Sequence, residues 1–257
     1  MIHVKKESTL LKKIRTAAYK SFSYLENNND SRFELNGEAL FLKNYFLQLK
    51  GRAFVFDVGA NEGKYSAIVS TLAEKHQLDL SLHVFEPVET SFRKLEENFN
   101  GAGNIKLNNF GVSDSDSVAE IFYDKQGSTL ASLYQRDLSD VQIHLDKKEQ
   151  ISLRRLDGYI TSNHIPFIDL LKIDVEGHEL AAFKGLGNFL DPGFTKAIQF
   201  EYGASYIDSR TFLKDIYQLL TSKNYRICKI TRTGIEERKY HVRMENFAYA
   251  NYLALAK

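Results

Sequence analysis

The chain has 257 residues, 43% of them hydrophobic, enough to bury the core of one large α/β domain and rather few for two. A formal net charge of +1 shows no overall bias toward nucleic acid or a cationic partner, and the lone Cys228 excludes a disulfide framework and a thiolate zinc cluster. Met1 to Glu7 lacks the apolar core of a signal peptide, and no stretch approaches the ~18 apolar residues of a membrane span, so a soluble, cytoplasmic protein is expected.

Thr9 to Leu25 reads as a basic amphipathic helix, with Leu10, Leu11, Ile14, Ala18 and Phe22 near helical spacing and Lys12, Lys13, Arg15 and Lys20 around them. A helix capping the domain with a solvated charged face is the preferred reading. A membrane-surface or partner helix is the alternative. Glu26 to Asp30 is a polar break, and a second helix is expected from about Gly37 to Leu49.

From Ala53 the pattern changes. Ala53 to Val58 is a short apolar run of the kind that forms a strand buried on both faces, and Lys64 to His76 follows as a helix. Leu82 to Glu86 predicts a second strand, Thr90 to Phe99 a helix, and Asn104 to Phe110 a third strand. Such alternation indicates βαβ units and a parallel sheet. Val118 to Tyr123 and Ile151 to Leu156 read as strands flanking a polar, irregular stretch, Asp124 to Gln150, which suits a substrate loop as well as an ordinary surface loop. Ile168 to Asp174 is the next strand, followed by a helix from Glu179 to Phe189 broken at Gly185 and Gly187. Ala197 to Glu201 is a strand and Thr211 to Lys223 a helix. Tyr225 to Ile230, Ile235 to Tyr240 and Asn251 to Ala256 close the pattern as strands, with Thr231 to Gly234 turning a hairpin.

Four of these strands end in an acid: Asp57, Glu86, Asp174 and Glu201. Ligands of open α/β sheets bind outside the carboxyl ends of the strands, so the four acids mark one edge as the site. Asp57-Val58-Gly59-Ala60-Asn61-Glu62-Gly63 opens it. Gly59 and Gly63 permit a tight turn and close approach of a ligand to the backbone. The glycine pattern of a nicotinamide site is absent, because Asn61 stands where its second glycine would be. The Asp57 carboxylate would repel a pyrophosphate and suits the cationic amino end of S-adenosylmethionine. Glu86 can accept both hydroxyls of a ribose. The expected cofactor site is therefore Asp57, Gly59, Ala60, Asn61, Gly63 and Tyr65, then Glu86 and Pro87, then Gly111, Val112 and Ser113 flanking an adenine, with Asp174.

Val55 to Gly63, Val84 to Pro87, and Leu171-Lys172-Ile173-Asp174-Val175-Glu176-Gly177-His178-Glu179 together resemble the FkbM-type methyltransferases. Leu156-Asp157, Phe200-Glu201 and Asn251 to Ala254 fall where that family has similar segments. The resemblance runs from about Ala53 to Lys257. It implies a Rossmann-like class I methyltransferase: a mostly parallel seven-stranded sheet, helices on both faces, an antiparallel C-terminal strand and added N-terminal helices. Residues 1–50 would then be a helical extension and 51–257 the methyltransferase domain. It also implies O-methylation of a sugar, glycan or natural-product hydroxyl, with Asp57, Gly59, Asn61 and Glu86 holding the cofactor. The acid at position 62, where the family often has an apolar residue, would place a charge near the methionine end.

An alcohol is a poor nucleophile while protonated, so a general base is expected to help. His178 is the first choice, since its unperturbed pKa lies near neutrality; Asp174 is the second, and Glu176 stands in the same block. Asp174, Glu176, His178 and Glu201 could also ligate a metal, with Mg2+ as the less favoured option. The expected partners are a small-molecule or carbohydrate acceptor and a second copy in a homodimer, with nucleic acid not favoured. The rival readings are a nicotinamide-dependent or nucleotide-sugar oxidoreductase and a non-catalytic adaptor that kept the fold.

Overall fold

The computed structural model describes residues 7–257. Helices α1 (Thr9–Leu25) and α2 (Glu38–Phe46) precede the alternating region, which begins β1 (Arg52–Val58), α3 (Lys64–Lys75), β2 (Asp79–Phe85), α4 (Glu89–Asn98), β3 (Ile105–Asn108). A less regular part follows: β4 (Gly111–Val112), β5 (Ser117–Tyr123), β6 (Asp137–Leu138), β7 (Ile143–His144) and β8 (Lys147–Arg154). The remainder is α5 (Leu156–Ser162), β9 (Ile168–Ile173), α6 (Glu179–Gly185), β10 (Thr195–Tyr202), α7 (Ser205–Asp208), α8 (Leu213–Ser222), β11 (Tyr225–Thr231), β12 (Gly234–Glu237) and β13 (Ala250–Ala256).

The main sheet has the order β12-β11-β13-β10-β9-β1-β2-β3. Strands β3, β2, β1, β9 and β10 run parallel, while β13 is inserted antiparallel between β10 and β11. Both faces are covered, which is why the strands read as unbroken apolar runs. Along β1, Phe54, Phe56 and Val58 pack with α5, α6 and α8 on one face; Ala53 and Val55 pack with α2, α3 and α4 on the other. This arrangement is the Rossmann-like class I methyltransferase fold. The sheet has eight strands rather than the expected seven, because the hairpin at Thr231 pairs β12 antiparallel to β11 and adds an edge.

The third strand also differs from expectation. Asn108 is buried and its side chain donates to the Val84 and Lys106 carbonyls, so β3 stops there. Gly111 and Val112 leave the main sheet to pair with β8, forming a small second sheet with β5. Helix α5 was not legible, since its apolar start, Leu156, continues the pattern of β8.

Helix α1 has the expected limits but does not cap the domain. Of its residues only Ser23 is buried, and Leu10, Leu11, Ile14 and Phe22 are exposed. Its C-terminal half is tied down: Arg232 lies 4.3 Å over the Tyr24 ring and donates to the Tyr24 carbonyl, and Asn29 Nδ2 donates to the Tyr19 hydroxyl at 3.2 Å. By contrast α2 buries Phe41, Leu42 and Phe46 in the same core as β1 and β11.

Candidate active site

The carboxyl ends of β1, β2 and β9 enclose one pocket, lined among others by Asp57, Asn61, Glu86, Val112, Asp174 and His178. The turn after β1 builds its floor. Gly59 has φ of 80°, and a Cβ there would stand 1.8 Å from the Asp174 carbonyl oxygen, so only glycine lets the turn pass the end of β9. The amides of Gly59 and Ala60 donate to the Phe85 carbonyl, which locks the turn to the end of β2. Asn61 adopts φ of 51°, a left-handed conformation that asparagine tolerates better than most residues. Its amide donates to Glu86 Oε2 at 2.8 Å, and its Nδ2 donates to the Ser128 carbonyl of the loop opposite.

Asp57 is fully buried, and Ser66 on α3 donates to its Oδ2 at 2.6 Å. Burial pushes its pKa up, against the pull of Lys172. The Oδ1 of Asp57 and the Oδ1 of Asn61 are buried without a hydrogen-bond partner. Glu86 accepts from Asn61 on one oxygen and from the Val88 amide on the other, at 2.9 Å. Burial raises its pKa to about 7, with these two amides opposing the shift. Beyond Glu86 the wall turns apolar, with Pro87, Phe110, Val112, Ile121 and Leu153. Ser128, Thr129, Ala131 and Leu133 close that side, so part of the irregular stretch from Asp124 to Gln150 belongs to the pocket.

The other end of the pocket is acidic, lined by Asp174 and Glu176, with Glu201 beside them but outside its lining. Carboxylate oxygens of Asp174, Glu176 and Glu201 lie within 4.8 Å of one another. Lys172 Nζ donates to Asp174 Oδ2 at 2.7 Å and sits 5.0 Å over the Tyr65 ring. Burial disfavours its charge, but Asp174, Asp57 and Glu38 outweigh that, so its pKa is raised. Arg136, reaching in from the irregular loop, donates to Glu176 Oε2 at 2.7 Å and pairs with Asp208 at 3.4 Å. Burial and then Asp174 raise the Glu176 pKa to about 7, with Arg136 opposing. Burial, then Asp174 and Glu176, push Glu201 well above the usual carboxylate range. Glu179 serves the turn, accepting from the Val175 and Gly177 amides at 3.0 Å each.

The chain matches the Methyltransferase FkbM domain over residues 57–227. It belongs to the FkbM methyltransferase family. Among curated proteins, the hexuronic acid methyltransferase AglP of Haloferax volcanii is 27% identical over 160 residues, covering 61% of this chain. The matched part spans 59% of that relative's length. Among solved structures, the FkbM methyltransferase of Methylobacillus flagellatus shows a TM-score of 0.48 at 17% identity, over 80% of this chain and 45% of that one. The M. capricolum protein TrmK, solved with S-adenosylhomocysteine, shows a TM-score of 0.43 at 12% identity, over 84% and 67% of the two chains.

In this FkbM-family chain, most of the residues expected at the site line the one pocket: Asp57, Gly59, Ala60, Asn61, Tyr65, Glu86, Pro87, Gly111, Val112, Asp174, Glu176 and His178. Gly63 and Ser113 do not. The close approach that Gly63 permits is to protein, since a Cβ there would stand 2.5 Å from Leu95 and Phe99 where α3 packs on α4. Ser113 hydrogen-bonds His178 Nε2 at 2.9 Å. The other ring nitrogen of His178, Nδ1, meets the Tyr134 hydroxyl at 3.0 Å. Both nitrogens are therefore engaged, and burial lowers the pKa of the ring. His178 lines the pocket but is not one of the three residues, Asp174, Glu176 and Glu201, whose ligand atoms lie within 4.8 Å of one another. Glu62 does not leave a bare charge at the site, because Lys94 on α4 pairs with it. Lys172 was overlooked although it lies two residues before Asp174 on a strand, hence on the same face. Arg136 had no periodic signal to reveal it.

Proposed function

We propose that the chain transfers a methyl group from S-adenosylmethionine to a hydroxyl of a sugar or a sugar-containing acceptor. The observation that carries the cofactor is the Glu86 carboxylate. Each oxygen is held by one backbone amide and keeps a further acceptor direction, the arrangement a ribose diol requires. The rest of the pocket fits the same molecule. The orphaned Oδ1 atoms of Asp57 and Asn61 are acceptors suited to its ammonium group. The apolar wall of Pro87, Phe110, Val112 and Leu153 suits adenine. When bound, S-adenosylmethionine supplies a methyl group activated on a sulfonium.

The acids at the ends of β9 and β10 then face the acceptor. Asp174, Glu176 and Glu201 can accept hydrogen bonds from its hydroxyls and orient one of them. Glu176, with a pKa raised to about 7, is matched to taking the proton of the reacting hydroxyl at working pH, and Asp174 is the second candidate. The similarity to a hexuronic acid methyltransferase supports a sugar as the acceptor class.

Calorimetric titration with S-adenosylmethionine, with NAD as the control ligand, tests the reading. Saturable binding of S-adenosylmethionine that weakens in Glu86→Ala and Asp57→Ala is expected. Binding of NAD alone would move the chain to redox chemistry. Methyl transfer is then assayed with hexuronic acid and neutral hexose glycosides; transfer to neither would overturn the acceptor class.

A further inference from the structure

Helix α1 leaves its apolar side in solvent: Leu10 is 67% exposed, Leu11 50%, Ile14 54%, Phe22 48% and Leu25 76%. At 100° per residue these side chains, with Ala17 and Ala18, share one arc of about 140° in which Ser21 is the one polar residue. Lys13 and Lys20 lie beyond one edge of the arc and Arg15 at the other, with Lys12 on the polar side between them. No acid occurs between Thr9 and Leu25. Glu7 pairs with Arg15 at 2.8 Å. The whole chain carries a net charge of only +1, so the four positive charges of α1 are a local concentration.

We infer that α1 is a docking helix for an anionic lipid surface. A wide apolar arc flanked on both edges by Lys and Arg is the pattern of a helix lying in the plane of a membrane interface. Pairing with a second copy suits the helix less well. Its seam would be broad rather than a narrow stripe, and Lys and Arg of one copy would face Lys and Arg of the other with no Glu or Asp to answer them. Among the described residues α1 is held through its C-terminal half, by Arg232 on Tyr24 and Asn29 on Tyr19, and the apolar arc is left free to lie on such a surface.

The test is flotation of the full chain with phosphatidylcholine vesicles, with and without phosphatidylglycerol. Binding should require phosphatidylglycerol and should fall as salt is raised. The combined variant Lys12→Glu, Lys13→Glu, Lys20→Glu should lower the bound fraction about tenfold or more. Leu11→Asp with Ile14→Asp should abolish binding. Because these side chains are exposed, both variants should keep the parent's circular dichroism and melting temperature, so loss of binding is distinguishable from misfolding. A folded parent chain that floats with neither vesicle, or a charge-reversed variant that floats as well as the parent, would overturn the inference. So would a two-chain mass in sedimentation that Leu11→Asp with Ile14→Asp reduces to one, without vesicle binding. That result would give the face to a second copy.

Discussion

Asn61 and Glu86 are joined across the mouth of the sheet: the Asn61 amide donates to Glu86 Oε2 at 2.8 Å. The turn that leaves β1 thus sets the orientation of an acid at the end of β2. The Val88 amide fixes the other oxygen, so the carboxylate has one available plane before any ligand arrives. Preorganisation of this kind spares a ligand part of the ordering penalty.

Glu86→Ala should weaken S-adenosylmethionine binding by about tenfold or more, since hydrogen bonds to a charged group contribute about 1.5–3 kcal/mol. It also leaves the Asn61 and Val88 amides without their acceptor, so the melting temperature should fall as well. Glu86→Gln retains the shape of the side chain and should fall between the parent and the alanine variant in affinity. Calorimetry on all three, with melts alongside, checks the order; equal affinities would remove Glu86 from the cofactor site.

Gly59→Ala should destabilise the protein by about 2–4 kcal/mol through overpacking and backbone strain. The added Cβ would stand 1.8 Å from the Asp174 carbonyl oxygen, at a φ of 80° that disfavours alanine. Urea denaturation measures the loss. A change below half a kcal/mol would mean that the β1 turn can shift from Asp174.

Arg136 and Glu176 form a pair whose side chains are 6% and 14% exposed. Arg136→Ala should lose about 3–5 kcal/mol, because the remaining carboxylate is left buried without its partner. Glu176→Gln in the same chain should recover much of that loss. A double-mutant cycle by chemical denaturation tests this; additive losses would show that the pair is not coupled.

Stability should fall as pH rises from about 5 to about 8. Glu86 and Glu179 have folded-state pKa values raised to about 7 and about 8, burial being the main cause in both. A raised acid pKa means that the folded chain binds more protons, so the stabilisation is full below the ordinary carboxylate value and is lost as pH passes the raised one. Within that window the slope should approach about 1.4 kcal/mol per pH unit for each group. Asp30, held low by its bond to Arg32 and Arg232 despite some burial, acts at more acid pH and does not enter. Denaturation curves across the window check the sign, and Glu179→Gln should reduce the slope. A flat profile would refute it.

The central sheet and its acids were legible because strands buried on both faces must be continuously apolar, and an acid that ends such a run stands at the ligand edge. Asp57, Glu86 and Asp174 followed from that alone. What escaped depended on contacts between distant segments. The partners that occupy both nitrogens of His178, Ser113 and Tyr134, lie 65 and 44 residues away in sequence. Arg136 reaches the site from a loop with no period to read. The pattern of α1 shows which of its sides is apolar and is silent on whether any part of the fold covers that side. Gly63 fitted a ligand-facing turn by spacing, yet it is the packing of α3 on Leu95 and Phe99 that requires it.

Strand β13 is the last of the main sheet in chain order, yet it lies in the interior, between β10 and β11. Until residues 250–256 arrive, β10 and β11 each present an unpaired edge toward the gap. Assembly of that half of the sheet therefore waits on the final strand, a late and non-local step of the kind that slows folding. A nascent or refolding chain held at that stage offers an open slot for one strand, and a strand from another molecule could fill it. Speed of closure around β13, more than depth of the native well, would then govern how much of the protein reaches its fold unaggregated.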